Sequence, residues 1–233
     1  MTETAGQTAL IIGASRGLGY ALAAEYLARG WQVTATVRGA RRTELHELAT
    51  SSAGRLVVET VDITVPEQVA ALRDRLAGTT FDLLFVNAGV TNGPQETVAD
   101  VSTDTFIRLM VTNALSPMRV VETMQVLVAS HGTIGVMSSG QGSVTNNDKG
   151  GFEVYRASKS ALNQLMRSFA ARHAGDPRTL LLMAPGWVQT ELGGAGARLT
   201  IGQSIPGVVD TIEAQAATGG LHYLDYQGQT IPW

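Results

Sequence analysis

The sequence predicts an α/β fold, in which a doubly wound parallel sheet of about seven strands carries helices on both faces. Short apolar runs alternate along the chain with amphipathic stretches of helical spacing. Most of these runs end in glycine, proline or polar turns, and no repeat or low-complexity linker interrupts the alternation. Alternating strands and helices are typical of parallel sheets, because each return crossover requires a helix. We therefore predict a single domain over residues 1–233.

The predicted strands are short apolar or alternating runs, as buried parallel strands require. They cover residues 8–12, 32–37, 56–61, 81–86, 133–138, 179–184 and 221–224. The first run ends at Gly13, and the sixth is closed by Pro185 and Gly186. Each run therefore has both the composition of a strand and a signal that ends it.

Helices are predicted where apolar residues recur at every third or fourth position. The first helix extends to Gly30, and the others cover residues 41–49, 66–76, 102–129, 155–174 and 204–217. Pro66 and Pro206 are placed in first helical turns, with Ser204 as an N-cap, because proline is tolerated there. Pro117 is expected to break or kink the long central helix. Residues 140–154 and 191–202 are predicted to be loops that shape a substrate pocket.

Composition excludes several classes of function. The chain has 17 basic and 20 acidic residues and a net charge of −3, so no nucleic-acid surface is expected. It contains no cysteine, and its four histidines lack the spacing of a metal site. The N-terminal residues carry no signal-peptide pattern, and no apolar run is long enough to span a membrane. A soluble cytoplasmic protein without a metal is expected.

A glycine-rich turn follows the first predicted strand, with the spacing Gly13-x-x-x-Gly17-x-Gly19. Glycines let a backbone approach a diphosphate, and the following helix N-terminus offers free N–H groups. The turn thus predicts a dinucleotide-binding Rossmann fold, with Ser15 as a hydrogen-bond donor. The same residues match Gly-x-Ser-x-Gly, the nucleophile elbow of hydrolases, which would make Ser15 a nucleophile. No earlier strand is predicted to supply the oxyanion hole of such an enzyme.

The end of the second strand indicates which dinucleotide is bound. An acidic residue there would bind the ribose hydroxyls of NAD, but the strand ends in Thr36-Val37-Arg38. Arg38 can bind a 2′-phosphate, and Arg16 in the glycine turn could contact it from the other side. The two arginines favour NADP(H) over NAD(H).

Tyr155 and Lys159 begin the helix predicted over residues 155–174. Residues four apart lie on one face of a helix, so the phenol and the ammonium can share a site. A nearby cation favours the phenolate and is expected to lower the pKa of Tyr155. The pair therefore predicts a tyrosine that acts as a general acid or base.

Taken together, these motifs resemble the short-chain dehydrogenases/reductases over essentially the whole chain. Asn113 resembles the asparagine of that family's central helix, and Ser139 its serine after the fifth strand; Ser138 is the competing candidate. The resemblance implies that Ser139, Tyr155, Lys159 and Asn113 are catalytic. The resemblance adds further cofactor contacts to the glycine turn and Arg38. The full set is Gly13, Ser15, Arg16, Gly17, Leu18, Gly19, Arg38, Asp62, Ile63, Asn87, Ala88, Gly89, Tyr155, Lys159, Pro185, Gly186, Val188 and Thr190. The short C-terminal part resembles the small C-factor-like carbonyl reductases.

The resemblance implies reversible hydride transfer between NADPH and a ketone or aldehyde. Ser139 would bind the carbonyl oxygen, Tyr155 would donate a proton, and Lys159 would lower the Tyr155 pKa and hold the cofactor ribose. Asn113 would anchor a water that links Lys159 to solvent. A homodimer or homotetramer is also implied, with apolar faces around Val120, Val121, Met124, Leu162, Leu165 and Met166 available for pairing. A non-catalytic NADP(H)-binding sensor or signalling protein remains the alternative, since a fold alone does not define a function.

Overall fold

Seven parallel strands form one sheet in a computed structural model that describes residues 6–233. The sheet confirms the predicted doubly wound α/β fold. Its strands are β1 Thr8–Ile12, β2 Gln32–Val37, β3 Leu56–Thr60, β4 Phe81–Val86, β5 Val128–Met137, β6 Thr179–Ala184 and β7 Gly220–Asp225. Residues 1–5, on which the expectation of no signal peptide partly rests, lie outside the described residues.

Helices pack on both faces of this sheet. They are α1 Gly17–Ala28, α2 Glu44–Ser51, α3 Pro66–Arg75, α4 Thr103–Met110, α5 Ser116–Met124, α6 Glu153–Arg172 and α7 Ile201–Ala214. Within residues 6–233, no helix is both long enough and apolar enough to cross a membrane.

The strand order is β3-β2-β1-β4-β5-β6-β7, so the winding reverses between β1 and β4. Loops diverge at such a switch point and leave a crevice at the carboxyl ends of the strands, where α/β proteins bind ligands. Successive residues of β1 face opposite sides, because side chains alternate along a strand. Ala9 and Ile11 pack with α1 and α7, whereas Leu10 and Ile12 pack with α3, α5 and α6.

The central helical region differs from the prediction of one kinked helix over residues 102–129. A π-helical turn, Val111–Leu115, joins α4 to α5, and a 3₁₀ turn follows α5. Pro117 lies in the first turn of α5, so the regular helix is interrupted just before it. Ala129 belongs to β5, which begins five residues earlier than predicted, at Val128. The prediction missed this start because Val128 pairs with Phe81 across an irregular register, a long-range contact.

The start of the last helix was also predicted wrongly. Thr200, not Ser204, is the N-cap, and its side chain accepts a hydrogen bond from the Gln203 main-chain N–H. The Gln203 side chain accepts in return from the Thr200 N–H, which completes a capping box. Pro206 therefore lies inside α7 rather than in its first turn.

The apolar faces predicted for pairing between subunits mostly belong to the core. Five of the six residues are buried on the inner faces of α5 and α6: Val120, Val121, Met124, Leu162 and Met166. Only Leu165 is exposed. The helical periodicity identified these residues as apolar, but it could not show which of them face their own sheet.

Candidate active site at the carboxyl edge of the sheet

The glycine turn lies at the switch point between β1 and β4. The Asn87 side-chain amide donates to the Gly13 carbonyl over 3.0 Å. Gly19 packs so closely that an added Cβ would lie 2.1 Å from the Gly13 oxygen and 2.6 Å from the Asn87 amide nitrogen. Gly13 and Gly17 have φ angles of 87° and 59°, in the left-handed region that glycine adopts without strain. Glycine is thus needed at 13 and 17 because their φ angles are positive. It is needed at 19 because a side chain there would collide with the Gly13 carbonyl.

A buried threonine also shapes this turn, and the sequence analysis missed it. Thr36 on β2 is 1% exposed. Its hydroxyl accepts a hydrogen bond from the Gly13 N–H over 3.0 Å, and its carbonyl accepts from the Ala14 N–H over 2.7 Å. Gln32 and Thr34 are also polar residues of β2, so residue type alone could not single out Thr36.

The two arginines predicted to bind a 2′-phosphate are both exposed. Arg38 follows the end of β2, and Arg16 directly precedes α1. Arg16 forms an ion pair with Glu191, which lies in the segment that follows β6, and both side chains are 72% exposed. Exposed ion pairs contribute little free energy, so Arg16 can exchange Glu191 for another anion.

Asp62 and Ile63 follow β3 and differ in what they can offer a ligand. The Asp62 Oδ1 atom accepts hydrogen bonds from the Thr64 main-chain N–H and hydroxyl, over 2.9 and 2.7 Å. The Ile63 side chain is buried in the core. Asp62 therefore offers its Oδ2 atom to a ligand, whereas Ile63 offers only its main chain.

The segment after β6 lies against the glycine turn. An added Cβ on Gly17 would lie 4.0 Å from the Thr190 methyl group. The Thr190 hydroxyl accepts a hydrogen bond from the Gly193 N–H over 3.0 Å, and Val188 is buried. Trp187 is 52% exposed and donates its indole N–H to the Gly193 carbonyl. Predicted cofactor contacts that are far apart in the sequence, Gly17 and Thr190, thus lie close together.

Tyr155 and Lys159 both lie near the N-terminus of α6, as the sequence predicts. They are 9% and 3% exposed. The Lys159 Nζ atom donates to the main-chain carbonyl of Met137, the last residue of β5, over 2.8 Å, and lies 5.9 Å from the Tyr155 ring centroid. An added Cβ on Gly89, after β4, would lie 3.5 Å from the same ammonium. Lys159 therefore bonds α6 to the end of β5 and lies near Gly89, which follows β4.

Burial changes the titration of both groups. It raises the pKa of Tyr155 to about 12, although the neighbouring Ser139 side chain acts in the opposite direction. It lowers the pKa of Lys159 to about 8. The pKa of Tyr155 is thus raised, not lowered as expected, because desolvation by burial is the largest cause of its shift. Tyr155 is protonated at neutral pH and is ready to donate.

The depressed pKa of Lys159 predicts a pH-dependent stability. The unfolded lysine titrates near 10.5 and the folded one near 8, so between these values the unfolded chain binds more protons. Lys159 should therefore contribute a free energy of unfolding that rises with pH across this window, by about 1.4 kcal/mol for each pKa unit covered. The buried tyrosines, whose pKa values burial raises, oppose this rise as the pH approaches 10. Urea unfolding of the wild type and of Lys159→Met, at several pH values between these limits, measures the difference.

The chain offers a matched control for this experiment, because Lys149 is its only other lysine and is exposed. Lys149→Met should keep the rise in unfolding free energy that Lys159→Met removes. A rise of equal slope in the wild type and in Lys159→Met would show that Lys159 is not the group responsible.

Ser138 and Ser139 lie in different environments. Ser138 is 2% exposed, and its hydroxyl donates to the Asn163 Oδ1 atom over 2.6 Å. Ser139 is half-buried, and its hydroxyl oxygen accepts from the Gln141 main-chain N–H over 3.1 Å. The Ser139 hydroxyl therefore lies beside the Tyr155 phenol, where it can also meet a substrate oxygen, and this favours Ser139 as the active serine.

Asn113 lies in the π-helical turn and is fully buried. Its amide donates to the Val90 carbonyl over 2.8 Å and to the Ser158 hydroxyl over 2.9 Å, and its oxygen accepts from the Val90 N–H. These bonds engage both amide protons, so only the second lone pair of Oδ1 and the Asn113 main chain remain to anchor a water. Ser158, which the sequence analysis missed, donates in turn to the Tyr155 carbonyl over 2.7 Å.

The family follows from comparison with known proteins. A family model described as short chain dehydrogenase matches residues 7–197. The chain belongs to the short-chain dehydrogenase family. This membership agrees with the resemblance that the sequence motifs indicated, and it disfavours the hydrolase interpretation of Ser15.

Solved structures and a curated relative extend the comparison. A short-chain dehydrogenase/reductase from Burkholderia multivorans with bound NADP is 60% identical, with a TM-score of 0.96 over 98% of this chain and 100% of that one. A carbonyl reductase from Pseudomonas aeruginosa PAO1 in complex with NADP is 35% identical, with a TM-score of 0.91 over 98% and 100%. The C-signal of Myxococcus xanthus is 34% identical over 65% of this chain and 92% of its own length.

Proposed function

We propose that this short-chain dehydrogenase is an NADP(H)-dependent carbonyl reductase, which converts a ketone or aldehyde to an alcohol and can run in reverse. The observation that carries the proposal is the grouping of Ser139, Tyr155 and Lys159 at the carboxyl edge of the sheet. Ser139 follows β5, and Lys159 donates to the last residue of that strand over 2.8 Å. A proton donor, a hydroxyl and a cation beside a glycine turn are the groups that carbonyl reduction needs.

The residues around the turn fit NADP(H). The glycine turn and the α1 N-terminus would hold the diphosphate, Asp62 the adenine, and Thr190 the nicotinamide amide. Two similar structures contain NADP, which supports the choice of this dinucleotide. When bound, NADPH supplies the hydride that reduces the carbonyl carbon.

Side chains of the protein would supply the proton that the reduction requires. Ser139 donates a hydrogen bond to the carbonyl oxygen and polarises it. Tyr155, which burial keeps protonated, gives its proton to the same oxygen as negative charge develops there. The Lys159 ammonium, oriented by the Met137 carbonyl, stabilises the phenolate left behind. Each carbonyl reduced therefore consumes one hydride and one proton.

A screen of ketones, aldehydes and alcohols tests the function. The purified chain is incubated with NADPH or NADH in parallel, and consumption of the reduced nicotinamide is followed by its absorbance. We expect turnover of at least one carbonyl, with NADPH preferred. Turnover of alcohols alone, with an oxidised dinucleotide, would overturn reduction as the working direction.

Arg38 provides the prediction for cofactor choice. Arg38→Gln should weaken binding of NADPH roughly ten- to a hundred-fold, the range expected when a hydrogen bond between charged groups is lost, and leave NADH almost unchanged. Fluorescence titration with both nucleotides measures the two affinities. Arg73→Gln is the control, since Arg73 lies on α3 and pairs with its neighbour Asp74. Equal weakening of NADPH and NADH would contradict a role in binding the 2′-phosphate.

A second candidate function is a non-catalytic NADP(H)-binding signalling protein. The similarity to the C-signal of Myxococcus xanthus favours it. NADPH binding without turnover across the whole screen would select this alternative, because a binding protein needs no proton donor.

We also propose that the chain forms a homodimer or homotetramer. The support is a cavity of about 360 Å³ on the surface formed by α4, the π-helical turn and α6, lined by Met110, Val111, Ala114, Leu115, Ala161, Gln164 and Leu165. Leu115 and Leu165 are each 39% exposed there. Sedimentation of the wild type and of Leu165→Glu tests whether this surface pairs.

A further inference from the structure

Ser139 is held from behind by a tyrosine that none of the sequence motifs include. Tyr223 on β7 is 2% exposed. Its phenolic O–H donates a hydrogen bond to the main-chain carbonyl of Ser139. The same carbonyl accepts from the Gly142 N–H over 2.8 Å. The Ser139 carbonyl is therefore bound from two sides, and the Ser139 hydroxyl takes no part in these two hydrogen bonds.

Tyr223 reaches Ser139 across an intervening strand. Tyr223 is in register with Leu182 on β6, and Leu182 with Val136 on β5. The hydrogen bond therefore joins β7 to Ser139, two residues beyond the end of β5, past the intervening strand β6. A phenylalanine would fill the same space but could not donate the hydrogen bond.

A second set of hydrogen bonds holds the residues on either side of Ser139. The Ser138 hydroxyl donates to the Asn163 Oδ1 atom over 2.6 Å, and the Asn163 amide donates to the Gly142 carbonyl over 3.2 Å. Burial raises the pKa of Tyr223, although the Asn163 and Ser138 side chains oppose that rise. Tyr223 therefore stays protonated and remains a donor in this buried group.

Tyr223 is itself supported by the last residues of the chain. Its ring lies 5.5 Å from the ring of Trp233, centroid to centroid. The Arg167 guanidinium lies 4.6 Å from the Trp233 ring centroid. The Trp233 main-chain oxygen accepts from the Thr145 N–H over 3.1 Å. The loop over residues 139–145 is thus attached to β7 and the residues after it at both of its ends.

We propose that Tyr223 is a positioning residue for the reaction: its hydrogen bond to the Ser139 carbonyl fixes the direction in which the Ser139 hydroxyl meets the substrate oxygen. This inference rests on the proposed carbonyl reductase function. A polarising hydroxyl must be held within about 0.5 Å of its productive position, which requires support from the surrounding residues. Tyr223 provides that support without contacting the substrate.

Tyr223→Phe tests the proposal, with Tyr26→Phe as the matched control. Tyr26 is also fully buried, and its hydroxyl has no hydrogen-bond partner among the described residues. Tyr223→Phe should lower kcat roughly tenfold or more, because misplacing a catalytic group by about 1 Å can cost 10²-fold. The KM for NADPH should change little. Amide hydrogen exchange over residues 139–145 should quicken in Tyr223→Phe and in no other segment, and Tyr26→Phe should match the wild type in every measurement.

The two readouts separate this inference from the proposed function. If the wild type turns over no carbonyl but exchange over residues 139–145 quickens locally in Tyr223→Phe, the reductase function fails and the anchoring by Tyr223 stands. The positioning role is overturned if exchange of this loop is unchanged, or if it quickens equally along the whole chain. It is also overturned if the loop loosens while kcat stays at the wild-type value.

Discussion

Replacing Tyr155 by phenylalanine is expected to lower the turnover of any carbonyl substrate by at least ~10²-fold, the scale of a positioned proton donor. The substitution removes only the hydroxyl, so packing around the ring is preserved. The buried phenol has a pKa raised to about 12 and therefore carries its proton at neutral pH. The Ser139 hydroxyl is a much weaker acid and cannot replace it. The measurement is kcat with NADPH and the best carbonyl from the screen.

Two further measurements make the Tyr155 result interpretable. The affinity for NADPH should fall by much less than kcat, because the Tyr155 hydroxyl is only one of many predicted contacts to the cofactor, whereas it is the proposed proton donor. Tyr26 lies on α1 and belongs to none of the predicted site residues, so Tyr26→Phe should leave kcat unchanged. Near-normal turnover in Tyr155→Phe would remove Tyr155 from the mechanism.

Gly19→Ala should abolish most of the NADPH binding. The new methyl group would lie 2.1 Å from the Gly13 carbonyl oxygen and 2.6 Å from the Asn87 amide nitrogen, so the turn or the helix must move. Overpacking of this kind costs about 1–3 kcal/mol of folding free energy. Since the turn would itself hold the diphosphate, we expect a loss of affinity of at least roughly tenfold, equal to about 1.4 kcal/mol. Fluorescence titration and urea unfolding measure the two effects.

Gly202→Ala is the matched control for Gly19→Ala. Gly202 also lies in a helix, α7, but an added Cβ there would meet no neighbouring atom of residues 6–233 within 4 Å. Alanine in an open helical position stabilises by about 0.4–1 kcal/mol, so this variant should unfold at higher urea and bind NADPH normally. Wild-type NADPH affinity in Gly19→Ala would show that the close contact with Gly13 is not needed for binding.

The prediction of strands and helices succeeded where the signal is local. The runs 8–12, 32–37, 81–86 and 179–184 coincide with β1, β2, β4 and β6. Such runs are buried on both faces of a parallel sheet, so their composition alone marks them. The errors lie where other parts of the chain decide. Val128 joins β5 by pairing with Phe81, and an apolar residue near the end of a helical pattern gives no sign of this.

The site shows the same division between local and long-range information. The glycine turn, Asn87, Tyr155 and Lys159 could be proposed from motifs, because each motif is short and its chemistry depends on residue type. Their catalytic and binding roles stay predictions until the variants are measured. Thr36, Ser158 and Tyr223 could not be proposed, since each acts on a residue that is distant in sequence or through main-chain atoms.

The sequence by itself determined the order of strands and helices, the family resemblance and the residue types available for chemistry, because periodicity and short motifs are properties of neighbouring residues. Tertiary structure alone decided how these groups behave. It buried Tyr155 and Lys159 so that desolvation raised one pKa and lowered the other. It placed most of the apolar residues predicted for pairing in the core, and it positioned Tyr223 on β7 to donate a hydrogen bond to Ser139. Desolvation and hydrogen bonding depend on what surrounds a group in space, and the linear sequence does not contain that information.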